Sequence, residues 1–230
     1  MPIVDVAPGN LLEVENEPVG RVAIHGRGNV LRIGRNATVR CNVWIRGDDS
    51  TVHFDDDCHV DGLVHVIRGG AHIRIGRRTT AVSVGISMHE PGEITIGEDC
   101  MFSSDIHMDV SDVHPIYDRK TGLRLNPPKP IRIADRVWIG TRVLVMKGAQ
   151  IGAGSVIGAG SIVIGEIPPD CIAAGTPAKV LRRDVLWRRD LDEPTGLETM
   201  PALRRKAFGR RRGLPSWLSL HTRGFPDPAA

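Results

Sequence analysis

The sequence predicts an all-β protein coiled as a parallel β-helix, and two periodicities carry that prediction. Over residues 131–163 an apolar residue recurs every six positions, at Ile133, Ile139, Val145, Ile151, Ile157 and Val163. A small or β-branched residue stands two before each: Ile131, Val137, Val143, Ala149, Ser155 and Ser161. Earlier, Ile33, Phe54, Ile75 and Ile96 recur at a spacing of 21. Six is neither a helical nor a simple strand period. It fits a short strand plus a corner, with alternate residues pointing inward. Three such sides close a triangular coil of about 18 residues, and a coil of 21 has one corner widened by three. The composition agrees, because Ile and Val outnumber Leu before residue 180, which favours strands over helices.

Taken in order, residues 1–21 read as a lead-in. The β-helix is expected over 22–180, starting near Val22 because Ile24 lies nine before Ile33. Inward positions then step through Val39, Ile45, Phe54, Val60, Val66 and Ile75. Wide corners fall at Gly47-Asp48-Asp49, Gly69-Gly70 and Glu90-Pro91-Gly92, all turn-forming. Gly often follows the inward residue, where it is expected to relieve the bend. From Ile96 to Ile133 is far more than one coil, so residues 109–130, rich in Pro and charge, should leave the solenoid as a loop. Hexads then run to Ile167-Pro168-Pro169. Residues 181–230 form a tail: a short helix over 181–191 is expected to cap the open end, followed by the basic run Arg204-Arg205-Lys206…Arg210-Arg211-Arg212.

No apolar stretch approaches a membrane span, and the N-terminus lacks a signal-peptide core, so the expected compartment is the cytoplasm. The four Cys are dispersed, against a disulfide framework or a Cys-based metal site. Cys58 and Cys100 fall at small inward positions. His53, His59 and His65 are six apart and so sit on three different sides, where one ion could not collect them. No metal site is expected. The basic tail could attract an acidic glycan or a membrane surface weakly. It has little aromatic interleaving and no motif for nucleic acid, and none is expected as partner.

Three features together resemble the hexapeptide-repeat acyltransferases. They are the hexads opening with Ala134-Asp135-Arg136-Val137-Trp138-Ile139-Gly140, the protruding loop with His114, and the closing Gly175-Thr176-Pro177-Ala178-Lys179-Val180. The loop stretch Ser111-Asp112-Val113-His114 is most similar to the branch that O-acetylates capsular, exopolysaccharide or lipopolysaccharide sugars. The resemblance implies a left-handed parallel β-helix, a homotrimer, and acetyl-CoA bound between subunits as acyl donor to a sugar or glycan hydroxyl. His114 is then the general base, since an imidazole suits proton removal near neutral pH. Asp112 would orient it or bind a sugar hydroxyl, or is simply solvated. Thr141 and Ala159 would line the pantetheine arm, or serve only the bends. Lys179 and Arg182 would face the phosphates. Trp138 points outward, to wall the groove beside His114 or to pack at a subunit interface. Relatives often place an Asn in the preceding coil as oxyanion donor. Here that stretch is Thr80-Ala81-Val82-Ser83, leaving Ser83 as the candidate. Two other readings are a gamma-type carbonic anhydrase and a non-catalytic β-helix scaffold.

Overall fold

The computed structural model describes residues 3–190, and these fold as a parallel β-solenoid of triangular section. The first face is an eight-stranded parallel sheet: Leu11–Val14, Val30–Ile33, Thr51–Phe54, Ala71–Ile75, Gly92–Ile96, Ile131–Ile133, Gln150–Ile151 and Glu166–Ile167. The long strands Thr38–Ile45, His59–Val66 and Thr80–Met88 then turn a corner, contributing to both the second and third faces. The second face continues through Met101–Phe102, Trp138–Ile139, Val156–Ile157 and Cys171–Gly175. The third runs from Val4–Val6 and Val22–Ile24, through the ends of the long strands, to Ile106–Asp109, Leu144–Val145 and Ile162–Val163.

The register is the one the periodicity predicts. Ile33 pairs with Phe54, Phe54 with Ile75, Ile75 with Ile96, and Ile96 with Ile133 across the long insertion. The inward residues form one continuous core, in which Ile33, Phe54, Ile75, Ile96, Ile139, Ile157 and Val163 are at most 1% exposed. All four cysteines are buried and free. Burial pushes the Cys41 and Cys58 thiols up to about 12, so they pack as apolar groups.

The glycines after the inward residues have a different purpose from the one expected. Gly34, Gly76, Gly97, Gly140, Gly152 and Gly158 do not have left-handed backbones. They are needed because the next coil lies against them. A Cβ on Gly97 would stand 2.6 Å from the Ala134 carbonyl carbon, and one on Gly152 2.4 Å from the Pro169 nitrogen. The left-handed turn comes two residues later, at Asn36, Asp57, Arg78, Asp99 and Arg136, all with φ between 54° and 61°. Asn and Asp tolerate that region; the two arginines bear its cost.

Two boundaries move. The segment 1–21 is not merely a lead-in: Val4–Val6 pairs in parallel with Val22–Ile24, and Leu11–Val14 with Val30–Ile33, making one further coil. Among the described residues no coil lies beyond it, so Val4, which aligns with the fully buried Val22, is 45% exposed, and the inward Leu12 and Val14 are only partly buried. At the other end, the helix expected over 181–191 does not form within the described residues. After Gly175-Thr176-Pro177 the chain reverses, and Ala178–Arg183 pairs antiparallel with Cys171–Gly175. A strand caps the open edge better than a helix would, because it satisfies that edge's backbone groups directly. The run 204–212 lies outside the described residues. No described helix is long and apolar enough to cross a membrane.

Candidate active site

The loop at 110–130 leaves the corner between the third and first faces, and side-chain hydrogen bonds brace its base. The Arg124 guanidinium donates to both oxygens of Glu90 at 2.6 Å, and the Ser111 hydroxyl donates to Glu90 Oε1 at 2.5 Å. Ser111 Oγ accepts from the Val113 amide at 2.9 Å, and Asp109 Oδ1 from the Ser111 amide at 2.9 Å. Asn126 is buried inside the loop. Its Nδ2 donates to Asp112 Oδ2 and to the His114 carbonyl, each at 2.9 Å, while its Oδ1 accepts the Ile116 amide at 2.6 Å. Lys147, from the next coil, donates to the Asn126 carbonyl at 3.1 Å and pairs with Asp112.

These contacts hold His114 exposed near the base of the loop, below the Tyr117–Arg124 bridge. The His114 amide donates to the Asp112 carbonyl at 2.7 Å across Val113, whose φ is +68°. A β-branched residue in that region is strained by roughly 1–3 kcal/mol, and such strain collects at functional sites. Asp112 does not act as its sequence position suggested. Its carboxylate is turned to Lys147 and Asn126, which hold it below its usual range, and it makes no hydrogen bond to the His114 ring among the described residues. It braces the loop.

Sequence reasoning missed Glu90, Arg124, Asn126 and Lys147, although part of the signal was present. Glu90 and Ser111 are 21 apart, which is one coil in that half of the chain. It also missed the close pair of His89 Nδ1 with Asp109 Oδ2 beside the loop base.

Arg124 and Ser111 hold the Glu90 carboxyl well below the usual range, at about 2. A depressed carboxyl contributes stability above its unfolded pKa, near 4.3, and loses it as pH falls towards its folded value. Thermal melts of wild type and Glu90→Gln should therefore differ most at neutral pH. The gap should close between about pH 4.3 and 2. A gap independent of pH would show that the carboxylate charge is not what clasps the loop.

The residues expected to hold an acyl donor gather on another edge, between the second and third faces. Ser83 stacks on Ser103, its amide donating to that carbonyl at 3.3 Å, and the Gly160 amide donates to the Thr141 carbonyl at 2.8 Å. These bonds line up Ser83, Thr141 and Ala159 along one edge. Lys179 stands opposite Ala174 at its upper end, exposed and without an ion pair among the described residues. Arg182 is opposite Ile172, farther along the same strand and away from that edge. Beyond Gly160, which follows Ala159 on this edge, no atom lies within 4 Å of a Cβ position, so the edge there is open to a narrow ligand. One face of the prism, roughly 15 Å from its length in residues, separates this edge from His114. A single chain therefore does not bring the two together.

Trp138 stands on the second face, flanking that edge three residues before Thr141. Its ring packs against Trp187 with centroids 6.1 Å apart, and its Nε1 is buried without an acceptor among the described residues. His53, His59 and His65 lie on the first, second and third faces respectively. His65 shares its face with His107, but the two stand in different columns. The His65 ring meets Trp44 edge-on at 5.4 Å. Among the described residues no three His, Cys, Asp or Glu are grouped to hold a metal ion.

The comparisons agree with this architecture. The sequence profile of the bacterial transferase hexapeptide (six repeats) matches residues 130–165. The polysialic acid O-acetyltransferase of Neisseria meningitidis is 32% identical over 183 residues, covering 76% of this chain and 85% of the relative. The polysialic acid O-acetyltransferase of Escherichia coli O1:K1 is 44% identical over 120 residues, but that match spans only 39% of the relative's length. The crystal structure of the polySia specific acetyltransferase NeuO superposes with a TM-score of 0.76 at 36% identity, covering 83% of this chain and 90% of that one. With its register, its loop and a relative matched over most of its length, the chain belongs to the hexapeptide-repeat sugar O-acetyltransferases, acyltransferases folded as a left-handed parallel β-helix.

Proposed function

We propose that this protein transfers an acetyl group from acetyl-CoA to a hydroxyl of a sugar or glycan, with His114 as general base, in a site completed by a neighbouring copy in a homotrimer. The observation that carries this reading is the split geometry. A braced loop presents an exposed imidazole at one edge, while the small-residue edge of Thr141 and Ala159 lies one face away. A ring of three copies sets one chain's His114 edge beside the next chain's open edge, and a head-to-tail contact of two different edges generates a ring when its rotation closes.

In the proposed reaction His114 removes the acceptor hydroxyl's proton as that oxygen bonds to the acetyl carbon. As the carbon–sulfur bond breaks, His114 returns the proton to the departing thiolate, so acetylated sugar and free thiol are the products. Ser83 is the proposed donor to the oxyanion. Thr141 and Ala159 offer a smooth wall to the pantetheine arm, with Trp138 at its side; Lys179, at the upper end of the edge, draws the phosphates, and Arg182 adds charge from farther along the same strand. Asp112 acts on His114 only through the loop. We assign the reaction to the cytoplasm, where its acyl donor is available.

Free-thiol release from acetyl-CoA, followed over a panel of neutral and acidic sugars and glycan fragments, tests this directly. Release that depends on one acceptor class supports the proposal and names the acceptor. Absence of release with every acceptor, with no acetyl-CoA binding by calorimetry, would refute it.

A further inference from the structure

Beyond the capping strand, residues 184–189 run across the coils in an extended form. The Val185 amide donates to the Asp170 carbonyl at 3.1 Å, near the top of the stack. The Trp187 Nε1 donates to the Arg136 carbonyl at 2.8 Å, on the coil of Trp138. The Arg189 guanidinium then reaches lower coils, donating to Cys100 O at 2.7 Å, Thr80 Oγ1 at 2.8 Å, Asp99 O at 3.2 Å and Arg78 O at 3.4 Å. The burial alternates as an extended chain requires: Val185 and Trp187 are half-buried, while Leu186 is 66% exposed and Arg188 is exposed.

We propose that this segment is a strap that positions Trp138 for the acyl donor, with Trp187 and Arg189 as positioning residues. The proposal rests on the reading of Trp138 as a wall of the acyl-donor groove. Two observations support it. The Trp138 indole N–H is buried without an acceptor among the described residues, so no hydrogen bond fixes the ring and packing must. The ring packed against it is Trp187, tilted by 48°. Because Trp187 is tied to Arg136, it approaches Trp138 from the side away from Thr141 and backs the ring towards the open edge. A strap with one aromatic contact would swing unless its end were held. Arg189 supplies that hold through a planar fork spread over four acceptors on two coils, which a lysine could not reproduce.

The experiment uses the full chain and five variants: Trp187→Ala, Trp187→Phe, Arg189→Ala, Arg189→Lys and, as control, Leu186→Ala. Each is measured for thermal midpoint, near-ultraviolet circular dichroism of the coupled indoles, and kcat and KM for acetyl-CoA. Trp187→Ala and Arg189→Ala should lose the indole coupling and raise KM for acetyl-CoA roughly tenfold, a misplacement effect, with a much smaller change in kcat. Trp187→Phe keeps an aromatic face and should restore most of the affinity; Arg189→Lys should not. Leu186→Ala should match wild type. A KM within twofold of wild type in Trp187→Ala, once the coupling is gone, overturns the proposal. Unchanged coupling in Arg189→Ala overturns the anchor. If wild type itself fails to bind acetyl-CoA, the acyl-donor reading falls, and the positioning role falls with it. Coupling that is lost in Arg189→Ala would still show the strap holding Trp138.

Discussion

Replacing His114 with alanine should lower kcat for acetyl transfer by roughly a hundredfold to ten-thousandfold, the usual worth of a positioned general base. The thermal midpoint should not change. The imidazole is exposed, and the contacts that hold the loop run through the His114 backbone, its amide to Asp112 and its carbonyl to Asn126. KM for acetyl-CoA should also change little, because the proposed donor edge lies one face away. Asp112→Asn should behave differently. It keeps the bond from Asn126 but loses the charge that pairs with Lys147, so it should loosen the loop and lower kcat by a smaller factor. If His114→Ala kept wild-type kcat, the base would have to be sought elsewhere. The first place to look would be His89, which is held against Asp109.

Gly97→Val should be strongly destabilising, costing about 3 kcal/mol or more through overpacking. Its side chain would enter the space of Asp135 Oδ1, 2.3 Å from an ideal Cβ, and of the Ala134 backbone at 2.6 Å. Backbone cannot step aside without breaking the coil register. The Gly97 amide donates to the Ile133 carbonyl at 2.8 Å in the same contact. Arg136→Gly is the contrasting case. It removes an exposed side chain from a left-handed position with φ of 55°, and should leave stability within about 1 kcal/mol of wild type. Denaturant melts of the pair distinguish close stacking from bend relief. Equal costs at both sites would show that the stacking argument is wrong.

The core of the solenoid was legible because its physics is periodic. A residue that points inward every six positions must be apolar, so Ile133 to Val163 announce three faces before any coordinate is known. The ends were less legible, for two different reasons. The first coil pairs on one side only among the described residues, and its inward Val4, Val6, Leu12 and Val14 are too few to announce a period by themselves. After Lys179 the arginines suggested a solvated helix. The free edge of Cys171–Gly175 instead recruited Ala178–Arg183 as a strand, a choice made by backbone hydrogen bonding that side-chain spacing does not report. At the candidate site, His114 was found because it sits where the repeat is broken. Its supports were not, because Glu90, Asn126 and Lys147 act across coils and look like ordinary surface residues in one dimension. Asp112 misled for the converse reason: two positions from a histidine suggests a partner, but the turn at Val113 directs its carboxylate to Lys147 instead.

In the proposed assembly each site is made by two chains, one giving His114 and the other the edge of Thr141 and Ala159. Co-expression of His114→Ala and Thr141→Trp under two affinity tags, with purification through both, isolates mixed assemblies. Each variant alone should be inactive in thiol release. A mixed ring of three always contains one junction with both intact edges, so the mixed assemblies should recover about a third of the wild-type rate. Mixed assemblies as inactive as the parents would contradict the claim and return the whole reaction to a single chain.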